Sequence, residues 1–578
     1  MNKLDVIPSI NGDYEPLEGA FVLPPRFAIN SEYPEADRIF AGRISKLGDY
    51  LVTADSPAVI FSVDIGKLDH EAYRIRVEQS RVTIYSNGER GYFYGLTTLY
   101  QMLVKGKGSL KSCVLDDSPR FEKRSLMLDV CRHMFSIEEI KRILDQMSLL
   151  KMNQFHWHLS DDQGFRIESE HFPELNTISA YRKLSPQDPV VARGLDTAGA
   201  AYGGYYLKSE IREVIDYANA RQIEVVPELE LPGHSSAILA AFPQYTCTGE
   251  SLKVKGTFGV HERIFCAGNK TVYPFIFELL DELCELFPSK YIHLGGDEAP
   301  KKSWKFCPVC RSFMKDNGIS SYEELQTFFT NRLIAHVRKR GKIPIVWNES
   351  AISGGLDEDA VLQYWMEMAP GPSYVVPELD KGRRLILSCS DQFYCTPSYA
   401  DLPLRATLMF EPEIKGVKVP DLNVLGIETA MWTEWSPEDI DIERALYPRL
   451  LAVAECGWTK ERDYSSFVER AETYLEYPAL NILQSTPWAE ATIHGEQALH
   501  TIAANMVDMG RRYGCMTEGD VNEESGRAEA VLPENTQNID KAAMTWIFIE
   551  NKMKAAYTQE EIERVIGMVM SLMNEEEE

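Results

Sequence analysis

Two adjacent carboxylates, Asp297 and Glu298, follow a glycine pair in the run His293-Leu-Gly-Gly-Asp-Glu298. Neighbours on a regular strand point to opposite faces. Both side chains reach one pocket only if the backbone bends, which Gly295 and Gly296 permit. Two carboxyl groups held close push each other's pKa apart, leaving one protonated as an acid and one ionised. Taken alone, the pair reads equally well as acids opening a helix, because Ala299-Pro300 follows.

Other short apolar runs also end in chemistry-bearing residues. Asp129 leads to Arg132 and His133; His156-Trp-His158 leads to Asp161, Asp162 and Gln163; Glu228-Leu-Glu230 leads to His234. Trp347 precedes Glu349, Trp365 closes a further run, and Phe393-Tyr394 and Trp432-Thr-Glu434 close two more. Tryptophan faces stack on the C–H faces of a sugar ring, while carboxylates and an arginine bond its hydroxyls. Acids, one arginine and three tryptophans together therefore point to a sugar site. A different chemistry would draw His156, His158, His234 and Asp297 together as metal ligands of a hydrolase. The tryptophans weigh against it, and no metal or cofactor is expected.

The elements that must position these groups recur with one pattern. Apolar strand-like runs cover 125–129, 154–159, 224–228, 291–295, 343–347, 361–365, 384–388 and 424–430, with helical patterns between them. Ser136 and Glu139 form a capping signal ahead of Ile140, Ile143, Leu144 and Met147, and a helical stretch from Ser321 stops before Gly341. Eight such units predict an α/β chain whose catalytic part, residues 119–484, is a (β/α)8 TIM barrel with its site at the strand C-termini. Residues 1–118 read as a small α+β domain with a strand at 58–63, a hairpin over 72–86 and a helix over 91–103. Residues 485–578 read as a mainly helical C-terminal region without an assigned role, with helices at 498–511, 541–557 and 559–573, a polar loop near 518–538 and a solvated tail at 575–578.

The 578 residues carry 60 Lys and Arg against 87 Asp and Glu, a formal charge of −27. Such a surface repels nucleic acid and anionic membranes, so neither is expected as a partner. No apolar run approaches the roughly 18 residues of a membrane span. The N-terminus shows no secretory pattern, and eleven scattered cysteines suit a reducing compartment, so a cytoplasmic location is expected. Cys307-Pro-Val-Cys310 has the spacing of a metal knuckle, but no second such pair follows; the two read as ordinary buried thiols.

The run His293–Glu298 resembles the H-x-G-G-D-E signature of family 20 glycoside hydrolases, the β-N-acetylhexosaminidases. His156–Gln163, Glu228–His234, and Ala430–Glu434 with Pro448–Glu455 are similar to three further blocks of that family, and the likeness runs to about residue 480. The resemblance implies an exo-acting retaining enzyme on terminal β-linked GlcNAc or GalNAc, with a lacto-N-biosidase as the near alternative. In that family the substrate's own acetamido oxygen is the nucleophile. By resemblance Glu298 is the acid and then the base, Asp297 holds the acetamido N–H, and Tyr394 donates to its oxygen. Trp347, Trp365 and Trp432 wall the sugar, Arg132 and Glu434 bind hydroxyls, and Asp161 with His234 sets the protonation of Glu298. Two positions depart from the pattern: Glu230 replaces an aspartate, and Thr396 stands where Tyr-x-Asp would place an acid near O4 and O6. The second implies tolerance of an anionic group at O6, unless Asp391 or Asp401 takes over the role.

Overall fold

The computed structural model describes residues 4–367, 371–396, 398–512 and 557–574. Eight parallel strands close into a barrel: β1 (Lys123–Asp129), β2 (Gln154–His158), β3 (Glu224–Glu228), β4 (Tyr291–His293), β5 (Ile343–Trp347), β6 (Val361–Tyr364), β7 (Leu385–Leu387) and β8 (Val424–Met431). All eight fall on the runs read from the sequence. They are nearly continuous apolar stretches because helices cover one face and the barrel interior fills the other. Inside, Val226, Tyr291, Ile345, Val361, Ile386 and Leu425 form an apolar plug. Above it, the strand register sets Asp129 beside His158, His158 beside Glu228, and Glu228 beside His293. A polar layer thus caps the apolar one at the C-terminal ends of β1 to β4.

The helix Ile137–Leu149 starts where Ser136 Oγ accepts the Glu139 N–H, and it buries Ile140, Ile143, Leu144 and Met147. The Glu139 carboxylate turns to Arg142 at 3.3 Å. Burial first, and then the nearby Glu443 carboxylate, push its pKa up to about 8. The helix Tyr322–Lys339 is capped by Ser321, and Gly341 follows it at φ 76°.

Ahead of the barrel lies a seven-stranded sheet in the order Tyr14–Val22, Ser109–Asp117, Tyr73–Val77, Val82–Ser86, Ala58–Asp64, Arg26–Asn30, Leu51–Val52. The predicted hairpin is its centre, Tyr73–Val77 antiparallel to Val82–Ser86. The helices Pro34–Ile44 and Glu89–Lys105 accompany it. Lys151, below the barrel, donates to Tyr73 Oη at 2.7 Å and Asp117 Oδ2 at 3.0 Å, locking the sheet to the barrel through a buried ion pair. After the barrel, the helices Gly495–Arg512 and Gln559–Asn574 pack through Leu499, Ile502, Ile562 and Val565 against Ala400 of the β7 loop. The expectations for 518–538, 541–556 and 575–578 lie outside the described residues. Among the described residues no helix is long and apolar enough to cross a membrane.

Candidate active site

The chain leaves β4 through Gly295 at φ 65° and Gly296 at φ 115°, both in the region that favours glycine. A Cβ on Gly295 would fall on Glu230 Oε2, and one on Gly296 on Ser350 Oγ. This bend carries Asp297 and Glu298 to the rim together, as the glycine pair predicts. Glu298 itself sits at φ 41° and His234, opposite it, at φ 44°. Left-handed backbone at two non-glycine residues is strained, and such strain concentrates at functional sites.

His234 joins the acids. Its Nε2 lies 3.4 Å from Glu298 Oε2 and 3.8 Å from Asp297 Oδ2, while Nδ1 is 3.2 Å from both Asp161 Oδ1 and Asp162 Oδ2. Asp161 Oδ2 forms an ion pair with Arg132 Nη2 at 2.8 Å and pairs with His158 Nε2 at 2.9 Å; His158 Nδ1 in turn bonds Glu228. The result is one line, Glu228–His158–Asp161–His234–Glu298. Burial opposes charge on His158, but Glu228 and Asp161 on either side push its pKa up to about 10. Burial likewise opposes charge on His234, yet Asp161 raises it well above the usual histidine range. Asp161, although buried, is held well below the carboxylate range by Arg132 and the histidines. From Glu228 to His234 the line therefore alternates anions and imidazolium cations.

Asp297 has the opposite character. Burial, and then the Glu298 and Glu228 charges, outweigh His234 and push its pKa up to about 6. Its Oδ1 is buried with no hydrogen-bond partner among the described residues. Glu230 and Glu349 are raised well above the carboxylate range, in both cases by burial first and Asp297 next.

Aromatic rings complete the rim. Trp365 and Tyr394 lie nearly parallel, 12° apart with centroids at 6.2 Å, and Trp432 stands 6.2 Å from Tyr394 at 56°. Trp347 is only 1% exposed and lies beneath Trp432 at 6.3 Å, its Nε1 donating to Glu228 at 2.9 Å and Glu230 at 3.2 Å. It forms the floor of the site, whereas Trp365 and Trp432 are half-buried walls. Trp365 Nε1 donates to Glu349 at 2.9 Å. Burial holds the Tyr394 hydroxyl well above its ordinary pKa, with Asp297 and Glu349 adding to the effect, so it remains a donor. Arg132 lies over Trp432 at 5.1 Å, 3.3 Å from Asp129 and 3.9 Å from Glu434.

All ten residues singled out from the sequence thus gather at this rim. Asp161, enclosed by Arg132, His158 and His234, lies behind the acid, next to the histidine with which the sequence pairs it. His158 and Glu228 are the links the sequence reading left out. The period-2 alternation puts both inside the barrel, but only the parallel register shows that they touch. Glu349 was missed as well, its signal being the Trp347-Asn-Glu349 strand end. The three histidines drawn together with Asp297 as metal ligands have other partners: His156 bonds Glu428 at 2.9 Å and lies 3.1 Å from Glu228, and His158 and His234 serve the line. Thr396 is exposed, and Asp401 is engaged with Ser398 at 2.7 Å and Asn505 at 3.0 Å.

The family profile "Glycosyl hydrolase family 20, catalytic domain" matches residues 121–461, and "Glycosyl hydrolase family 20, domain 2" matches residues 3–118. A β-hexosaminidase of Porphyromonas gingivalis is 33% identical over 440 residues, covering 72% of this chain and 54% of that protein. The chain therefore spans about half the length of that relative. An exo-β-N-acetylglucosaminidase of Vibrio harveyi, in complex with N-acetylglucosamine, superposes with a TM-score of 0.73 at 27% identity, covering 84% of this chain and 78% of that one. A mutant Streptomyces plicatus β-hexosaminidase in complex with product GlcNAc gives 0.72 at 27% identity, covering 84% and 97%.

Proposed function

Because this chain belongs to glycosyl hydrolase family 20, we propose that it is an exo-acting, retaining β-N-acetylhexosaminidase on terminal β-linked GlcNAc or GalNAc. The observation that carries the reading is the Asp297–Glu298 pair, turned into one pocket by Gly295-Gly296, with the charged line ending on Glu298 and aromatic walls opposite. The substrate's acetamido oxygen attacks C1 as the glycosidic C1–O bond breaks, and Glu298 gives its proton to the leaving oxygen. His234, an imidazolium 3.4 Å away, stabilises the carboxylate that this leaves. The ionised Asp297 accepts the acetamido N–H through the oxygen that lacks a partner and offsets the positive charge forming on the ring. Tyr394 donates to the acetamido oxygen, and Trp347, Trp365 and Trp432 exclude water around it. Glu298 then takes a proton from the water that attacks C1, which reopens the oxazolinium ring and restores the β configuration.

Arg132 and Glu434 hold sugar hydroxyls at the rim. Ten unpaired cysteines among the described residues support placing this enzyme in a reducing, cytoplasmic compartment. The test is hydrolysis of 4-nitrophenyl β-GlcNAc followed by NMR from the first turnovers. The β anomer is expected first; an initial α anomer would refute the mechanism.

A further inference from the structure

Four cysteines from two separate loops meet behind the site. Cys247 and Cys266 belong to the β3–β4 connection, each one residue beyond the antiparallel bridge Thr246–Phe265, and the Cys266 N–H bonds Tyr245 O at 2.8 Å. Cys307 and Cys310 belong to the loop after β4. Cys307 caps the helix Pro308–Asn317, and its sulfur accepts the Cys310 N–H at 3.5 Å. A Cβ on Gly268 would meet Cys310 Cα at 2.6 Å, so glycine there allows the two loops to touch. The sequence offered Cys307 and Cys310 no partner pair downstream. The structure supplies one upstream, joined by a bridge rather than by short spacing.

All four sulfurs lie within 4.8 Å of one another. Cys247–Cys310 is 3.9 Å, Cys266–Cys307 3.8 Å and Cys266–Cys310 3.5 Å. A disulfide requires about 2.05 Å and joins sulfurs in pairs; these are longer contacts shared four ways. Four thiolates around zinc at about 2.3 Å stand about 3.8 Å apart, the edge of a tetrahedron. Three of the cysteines are buried and Cys247 is partly so, which leaves a closed site with no position for substrate.

We propose that Cys247, Cys266, Cys307 and Cys310 form a tetrathiolate zinc site that staples the β3 and β4 active-site loops together. Zn2+ displaces one proton from each of four thiols and forms four Zn–S bonds, with no change of oxidation state. The loops so joined carry His234 on one side and Asp297–Glu298 on the other. Trp304 crosses the same seam, its Nε1 donating to Phe265 O at 2.8 Å. The metal acts through position: it holds His234 at its distance from the acids. The inference does not rest on the proposed glycosidase activity.

The full chain, purified without chelator, is assayed for metals by mass spectrometry and for thiols with a mercurial. About one zinc per chain is expected, released as the mercurial titrates the cluster, with a lower melting temperature after release. Cobalt(II) in place of zinc is expected to show a sulfur-to-metal charge-transfer band and the visible bands of a tetrahedral ion. Cys247→Ser and Cys310→Ser should lose the metal, while Cys284→Ser, a buried cysteine outside the cluster, should keep it. Four free thiols and less than a tenth of an equivalent of zinc after zinc loading would overturn the site. So would two disulfides by non-reducing peptide mapping, a full equivalent of iron in place of zinc, or zinc retained undiminished by both cluster variants.

Discussion

Along β1 to β4 the rim is ionic, with Arg132, Asp161, His234, Asp297 and Glu298 held by one another and by the barrel's polar layer. Along β5 to β8 it is aromatic, with Trp347, Trp365, Tyr394 and Trp432 held by ring contacts and by indole N–H bonds to buried acids. The ionic half can move a proton and carry charge. The aromatic half can shape a ring, donate from a neutral hydroxyl and exclude water. Water exclusion strengthens every charge interaction opposite it, so each half supplies what the other lacks. Substitutions in the first half should change turnover and its pH dependence, and those in the second should change which substrate is accepted.

The largest effect is expected at Glu298. Glu298→Gln keeps the shape but carries no transferable proton, so kcat on a poorly activated glycoside should fall about 10³- to 10⁴-fold. A 2,4-dinitrophenyl glycoside, whose leaving group needs no acid, should lose much less in the bond-breaking step. Equal losses on both substrates would remove Glu298 from the acid role.

Asp297→Asn should cost about 10²- to 10³-fold in kcat, in line with loss of a preorganised charge partner. It also probes pH. Asp297 is raised from 3.8 to about 6, so its ionisation is delayed, and kcat/KM of the wild type should rise with pH through about 6 as the working anion forms. A raised carboxyl favours the fold below its unfolded pKa, and that contribution is lost as pH rises through the folded one. Asp297→Asn removes this loss, so the variant should melt higher than wild type at pH 7.5, with the difference vanishing near pH 4. A variant that melts lower at pH 7.5 would show that Asp297 is not held against its preference.

A smaller effect is expected one step back. Asp161→Asn removes the main support of the His234 cation, so the imidazolium should deprotonate at lower pH. The basic limb of kcat should move to lower pH, with about tenfold loss at pH 8. An unchanged limb would leave Asp161 a purely structural residue. The smallest effect belongs to the aromatic half's loop. Thr396→Asp should lower kcat/KM on 6-sulfo-β-GlcNAc relative to the plain sugar by about fivefold, the size of about 1 kcal/mol of screened repulsion at an exposed position. An unchanged ratio would place Thr396 away from O6.

The eight strands were legible because a strand buried on both faces must be an apolar run of four to eight residues. Their ends were less so: β6 stops at Tyr364 and leaves Trp365 on the rim, and β7 holds only Leu385–Leu387. The acids, the arginine and the tryptophans were visible as strand-end residues. Their connection was not, because His158 meets Glu228 through register between strands 70 residues apart. Cys247 and Cys266 escaped notice for a related reason: eighteen residues separate them, and only a bridge across the loop closes the gap. Helical periodicity located Gly495–Arg512 and Gln559–Asn574, whose contact with Ala400 no local pattern encodes.

The central claim is that the substrate's acetamido group supplies the nucleophile and that Asp297 serves it. The most direct measurement is kcat/KM for 4-nitrophenyl β-GlcNAc against 4-nitrophenyl β-glucoside, in wild type and in Asp297→Asn. The account predicts that the wild type cleaves the glucoside at least about 10³-fold more slowly, because the nucleophile itself is missing, and that Asp297→Asn closes most of this gap by losing only the N-acetyl substrate's rate. A glucoside cleaved at a comparable rate by the wild type would contradict it.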